Sequence, residues 1–515
     1  MSSPPKDEPL LALDDIQGNV IPGFKKDHQH FLFFSVTDAS SAKRCLNKMH
    51  ARLSTAAKVF KAHRVWKSMR ARLGRDPDAA HYVFLNVALS AAGLRKLTSK
   101  AEVEEFADDA FKLGLTEERS SYIGDPSASK EPGHPSGWVV GGPAVPVDGV
   151  LIMACDDLAW LEEEAKKLIA EISANGMSIV HEDRGDVNAA PKPGHEQFGF
   201  KDGISHPAIR GRWPEEPYDF VSPRTFPQDK AFDTARADFA EPGRRLIWPG
   251  HFLFGYGRQK SDDPRTYDSA NQPKGPVWAK DGSLMVYRRL RQNPDEFWRF
   301  VANTAKALAK KYPTAALDKE RFAALLVGRW KSGTPVVRSP DKDIGITGDG
   351  LNYFSYANQQ TPPLPGDTAP NSADPDGLRC PLGAHIRKVN PRDQVATDLG
   401  FAERNPPRSL MRQGITYTAK SDDKGLLFVA YQSSIVDQFE FLMKQWVNKP
   451  NTPRDHAGHD PILAQGRGRV FYLPIEGKVE EIPVSGAFVV PTGGEYFFSP
   501  SIAFFKGTLA RPAKK

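Results

Sequence analysis

Cysteine is scarce in this chain. Cys45, Cys155 and Cys380 are the only three among 515 residues, and none belongs to a CxxC pair. That pattern fits a reducing compartment and neither a disulfide framework nor a zinc site. Long apolar runs are missing too, with no stretch near the ~18 residues of a membrane span. The opening MSSPPKDEPLLALDD has no basic segment followed by an apolar one, so no signal peptide is read there and a cytoplasmic location is expected. Nor is there a dense basic block. Sixty-nine Lys and Arg against 63 Asp and Glu leave a net charge of +6, which gives nucleic-acid binding little support. The GxxxxGKS/T phosphate loop, the GxSxG elbow and the HExxH helix are all absent. His28-Gln29-His30 and His456 with His459 lack further ligands and read as loop histidines.

What is present is material for a large core: 40% hydrophobic residues, with 30 Phe and 9 Trp. Glycine and proline, 42 and 43 residues, make about a sixth of the chain and imply long ordered loops. The length suits two or three domains, or one large duplicated unit.

Duplication is visible. GSLMVYRRLRQNPDEFWRF (Gly282–Phe300) and KGLLFVAYQSSIVDQFEFL (Lys424–Leu442) align without a gap, pairing Leu284 with Leu426, Asp295 with Asp437 and Phe297 with Phe439. Each begins as a β-rich run and changes to helical spacing. Looser versions start at His81 and at Asp148, the second with Asp156 or Asp157 as a helix N-cap. HFLFFSV from His30 and MSIVHED from Met177 are further strands. Recurring strand–helix units predict two related α+β domains, each an antiparallel sheet with helices on one face. The boundary is placed in the Pro- and charge-rich stretch near Arg210–Pro227, giving domains 1–215 and 216–515.

Three segments could carry chemistry. In FGFKDGISHPAIR, Asp202 stands between Gly199 and Gly203 among Phe198, Phe200 and Ile204; alone, it reads as a turn residue. In CPLGAHIRKVNPRD, His385 follows the small Gly383 and Ala384 and precedes Arg387, Lys388 and Arg392. A histidine with space on one side and cations nearby suits axial ligation of a haem whose propionates meet the arginines. In PRSLMRQGITY, Arg412 sits in a short apolar stretch and alone reads as a surface arginine.

Taken together and in order, these segments resemble the dye-decolourising peroxidases. Gly199-Phe200-Lys201-Asp202-Gly203 matches that family's GxxDG motif. Gly383–Lys388 with Asn390-Pro391-Arg392 matches its proximal histidine segment, and Met411–Gly414 its distal arginine segment. DDIQGNVIPGF (Asp14–Phe24), GLLFVAYQ (Gly425–Gln432) and GGEYFFSPS (Gly493–Ser501) are similar as well. The resemblance runs from about residue 14 to residue 505 and is closest to the larger bacterial and fungal types. It implies two ferredoxin-like domains, with one b-type haem per chain in the C-terminal domain. It also implies hydrogen peroxide and aromatic reducing substrates such as dyes and phenols as partners, without nucleic acid or membrane, in a monomer or homo-oligomer.

On that resemblance His385 ligates iron, and Asp202 moves a proton from the near to the far oxygen of peroxide, leading to high-valent iron. Burial among Phe198, Phe200 and Ile204 is expected to raise the Asp202 pKa, and Arg412 to lower it again. Two carboxylates compete for the second nitrogen of His385. Asp437 stands at a helix start, as its repeat counterpart Asp295 does, so Asp460 in HDPILAQ is preferred. Arg392, and less directly Lys201 and Arg387, are expected at the propionates. Tyr417 and Trp446 correspond to surface radical relays of related enzymes. A haem carrier that does not turn over is the alternative reading, and it has no need of Asp202 with Arg412. Nothing in the residues argues for removal of iron from intact haem.

Overall fold

The computed structural model describes residues 8–74, 82–215, 219–223, 240, 244–260, 266–357, 373–394 and 408–510. Part of the expected boundary stretch, most of residues 361–380 ahead of the His385 segment, and Pro407 of the distal segment lie outside them.

The first half folds as β1 (His28–Val36), α1 (Ala39–Met49), α2 (Ala56–Leu73), β2 (Phe84–Ser90), β3 (Gly149–Cys155), α3 (Leu158–Ser173) and β4 (Met177–Asp186). Asp157 caps α3 by accepting the N–H of Trp160 at 3.0 Å, as the sequence predicts. The second half has β5 (Ser283–Gln292), α4 (Pro294–Lys311), α5 (Lys319–Val327), α6 (His385–Val389), β6 (Met411–Arg412), β7 (Ile415–Lys420) and β8 (Asp423–Gln432). α7 (Ile435–Glu440) and α8 (Leu442–Val447), both with wide π-type turns, and β9 (Val489–Ser499) complete it.

Strands run β2-β3-β1-β4 in the first half and β7-β8-β5-β9 in the second. Both orders are second, third, first, fourth, with antiparallel pairing throughout. This is the duplicated ferredoxin-like plan. The gap-free repeat lies within the second half, where Leu284 lies in β5 and Leu426 in β8, and Phe297 and Phe439 are both buried.

The halves do not stand apart. β9 pairs with β2 through Phe497–Ser90 and Phe498–Leu89. At the opposite edge Thr416 on β7 donates to the Asp186 carbonyl of β4 at 2.6 Å, so the sheets close on each other as a barrel. Phe31, Phe33, Ile152, Tyr287, Tyr417, Val429 and Phe497 form the interior cluster. The alternate side chains Leu32, Phe34, Leu151 and Met153 pack outward with Leu46 of α1 and Leu161 and Leu168 of α3. Runs such as FLFF are therefore apolar at every position because both strand faces are covered. The first sheet half ends at Asp186 and the second starts at Ser283; residue 215 falls in the connection, which also carries Asp202.

Among the described residues, no helix is long and apolar enough to cross a membrane. The three cysteines are buried and form no disulfide. His28 and His30 lie on β1 and not in a loop, and His30 bonds Glu182 at 2.8 Å; His459 Nδ1 accepts the Val470 N–H at 3.1 Å.

Candidate active site

His385 opens the short helix α6. Its Nδ1 lies 2.7 Å from Asp460 Oδ2, a bond that leaves Nε2 to face outward from a ring that is 25% exposed. Asp460 is fully buried. Its other oxygen accepts the N–H groups of Ile462 (2.8 Å) and Leu463 (3.0 Å), so the carboxylate is fixed from two sides. Burial pushes the His385 pKa down, but the charge and hydrogen bond of Asp460 outweigh it and hold the imidazole above its ordinary value. Burial likewise pushes Asp460 up, and His385 with the two N–H groups brings it below the usual carboxylate range. Asp437 is 67% exposed and lies 3.6 Å from Arg408 at the start of α7. Of the two candidates, Asp460 is the one that meets His385.

The Asp202 turn reaches the site from the connection between the halves. Gly199 (φ +95°) and Gly203 (φ +67°) take the left-handed conformation that residues with a Cβ rarely adopt. Asp202 itself is exposed. The expected burial by its neighbours is not there, because Phe198 stacks on Phe297 at 4.5 Å and Phe200 turns toward Trp298, both into the core. Arg412, on β6, donates through Nη2 to the Ser205 carbonyl of the same turn at 2.6 Å. Asp202 and Arg412 are both near enough to act electrostatically on His385. Three segments far apart in sequence thus converge.

The basic residues divide by role. Arg387 is wholly buried and spends its guanidinium on Asp374, Gln394 and the Cys380 and Pro375 carbonyls. All five of its N–H donors are engaged, so it is a structural residue and not the propionate partner expected. Arg392 takes a left-handed backbone (φ +54°), sits 3.7 Å over the Phe354 ring and donates to the Asn352 and Phe354 carbonyls at 3.1 Å. Lys201 is exposed, with its side chain beside Gly333.

Sequence reasoning passed over Arg329, just beyond the glycine that ends α5. It donates to the Gly333 and Leu351 carbonyls and the Asn352 side chain. Burial, with Arg392 and Arg412 nearby, lowers its pKa to about 9. Its signal was a cation within LLVGRW, at the end of an apolar helix. His206 was passed over as well; burial and the charge of Arg412 push it down to about 3, so it faces the site as a neutral imidazole.

Tyr417 and Trp446 are each 1% exposed. Neither is a surface residue. Tyr417 faces the barrel interior, donates to Asp423 at 3.0 Å and lies under the Arg289 guanidinium, while Trp446 packs edge-on against Phe441.

The donor set fits a haem: an imidazole with Nε2 outward and Nδ1 held by a buried carboxylate, and guanidinium groups concentrated where two carboxylates could be received. Fold and site together define an α+β barrel that carries a histidine–carboxylate pair able to ligate a haem. Residues 15–189 match the family model "DyP dimeric alpha+beta barrel domain", and residues 379–476 match "Dyp-type peroxidase, C-terminal". A dye-decolorizing peroxidase of Mycetinis scorodonius is 30% identical over 99% of this chain and 93% of its own. A multifunctional dye peroxidase of Amycolatopsis is 27% identical over 97% and 96%. Among solved structures, an ancestral D-type dye decolorizing peroxidase superposes with a TM-score of 0.74 at 30% identity, covering 98% of this chain and all of that one. The chain belongs to the dye-decolorizing peroxidase family and is a peroxidase, of a kind that depends on haem.

Proposed function

We propose that this peroxidase holds one haem b on His385 and uses hydrogen peroxide to oxidise bulky aromatic donors such as dyes and phenols. The supporting observation is the His385–Asp460 pair, with Asp202 and Arg412 acting on the same imidazole. Bound haem supplies the redox-active iron at which peroxide is reduced. His385 offers Nε2 as ligand, and Asp460 keeps the remaining proton on Nδ1 and makes the ring a stronger donor. Asp202, on its glycine-cornered turn, takes the proton of the near peroxide oxygen and returns it to the far one. Arg412, anchored on Ser205, sets its charge where negative charge develops. Arg392 and Arg329 receive the propionates, with Lys201 at the exposed rim.

A phenolic donor is supported by a structural neighbour, a dye-decolorizing peroxidase in complex with 2,6-dimethoxyphenol, at TM-score 0.72 and 27% identity. For Tyr417 and Trp446 we keep an inner relay role; the Asp423 carboxylate on the Tyr417 hydroxyl is a proton acceptor for an oxidised tyrosine. The carrier reading is disfavoured by Asp202 and Arg412, for which storage has no use.

Absorption spectra of haem-reconstituted protein, with and without His385→Ala, test the ligand. A Soret band of ligated haem that is lost or displaced in the variant is expected, and its absence from the wild type ends the haem reading. Peroxide should then change the wild-type spectrum; a band indifferent to peroxide favours the carrier. Asp202→Asn should keep the haem and slow the peroxide step by about 10²–10⁴-fold.

A further inference from the structure

Glu196, six residues before Asp202, has no part in the chemistry above, and its surroundings are unusual for a carboxylate. Oε2 accepts the N–H of Phe198 at 2.9 Å and Oε1 that of Phe200 at 2.8 Å. The side chain of Gln292, the last residue of β5, donates to Oε2 at 2.5 Å, and Gln292 Oε1 accepts the N–H of Gln197 at 3.3 Å. The main chain of Glu196 closes the same turn, donating to the Phe200 carbonyl and accepting from Gly199, both at 2.9 Å. Among the described residues no lysine or arginine pairs with it. Burial, with the Asp202 charge adding, pushes its carboxyl up to about 7. A carboxyl group that ionises so reluctantly needs a reason for its place. Two N–H groups diverging from one turn call for two acceptor oxygens on one planar group, and a carboxylate has them where an amide has one.

We propose that Glu196 is a positioning residue for Asp202. Its carboxylate grips the amides of Phe198 and Phe200 and is held by Gln292, which ties the turn to the barrel and fixes the backbone from which Asp202 projects. This rests on the catalytic role given to Asp202 above.

The test uses the full chain loaded with haem and reads haem content, the Soret band and the rate of the peroxide step for Glu196→Gln, Asp202→Asn and the double variant. Glu196→Gln is expected to bind haem with an unaltered Soret band and to slow the peroxide step at least fivefold. In the Asp202→Asn background it should have no further effect, because Glu196 acts only through Asp202. A smaller loss in the single variant, or losses that multiply in the double variant, overturns the proposal. Should Glu196→Gln fail to fold, Gln292→Met removes the bracing donor at similar volume, and the same non-additive, at least twofold, loss is expected; additive or smaller losses again overturn it. An unchanged rate in Asp202→Asn removes the proton-transfer role given to Asp202, an outcome distinct from failure at Glu196.

Discussion

At the scale of single residues, the His385–Asp460 pair governs what the site can bind. The apo-protein's imidazole holds its proton above the ordinary histidine value because of Asp460, whereas iron takes the neutral ring. Haem uptake should therefore strengthen as pH rises through that value, which titration of apo-protein with haem at pH 5 and pH 8 checks; equal affinities would contradict it. Asp460→Asn removes the charge that makes His385 a strong donor. The iron–histidine stretching frequency of the reduced enzyme should fall, and the peroxide step should slow by about 10-fold or more, since such partners matter at the 10–100-fold level. Resonance Raman and stopped-flow measurements read the two effects separately.

Some of this was legible in one dimension and some was not. Asp202, His385 and Arg412 could be found because glycines, small residues and cations flank them in recognisable order. Choosing Asp460 over Asp437 was possible because a helix start already accounted for the latter. Arg387 was misassigned because a row of cations gives no hint that one of them turns inward to Asp374. Burial was the recurrent failure. Phe198 and Phe200 were expected to cover Asp202 yet point into the core, and Tyr417 and Trp446 were placed on a surface they do not reach.

At the scale of elements, the barrel is pinned by charge as well as by apolar packing. Arg289 on β5 donates to Asp183 on β4 at 2.9 Å and to both oxygens of Asp423 on β8 at 2.8 Å. The hydroxyl of Tyr287 also donates to Asp183, at 2.5 Å. Burial raises both carboxyls, but their partners bring them below the usual range, so the clamp stays ionised through mildly acidic conditions. Arg289→Met would strand Asp183 inside the barrel. A loss of about 3 kcal/mol is expected, read as a lower midpoint in denaturant unfolding of the apo-protein, and a loss under ~1 kcal/mol would show that the clamp is idle. The strand runs and their helices were readable from period and composition. Closure was not, since no local pattern says that β7 will meet β4 or β9 meet β2.

At the scale of the whole molecule, buried carboxyls tilt stability toward acid. Glu495 on β9 accepts the N–H groups of Leu115 and Tyr496, and burial pushes it from 4.5 up to about 7. In the unfolded chain it ionises near 4.5, so between these values the folded state keeps a proton the unfolded state has lost. Stability should decline as pH rises across that window, by up to about 3 kcal/mol for this group. Glu196 titrates in the same window and His206 in the opposite sense, so the contribution of Glu495 is read as a difference. Between pH 5 and 7.5, the change in unfolding free energy of the apo-protein in denaturant should be less unfavourable in Glu495→Gln than in the wild type by about that amount. Equal changes in the two proteins would remove Glu495 as a contributor.

The pairing of β9 with β2 also has a bearing on how the molecule is made. A ribosome delivers β2 and β5 long before β9. Ser54 and Gln17 already bond the main chain of Leu85 and Val87, but the Leu89 end of β2 and one whole side of β5 stay open until β9 arrives, and stray strands attach to edges of that kind. Severing the chain after β8 should yield soluble protein only when a chaperone or a supplied β9 peptide covers those edges.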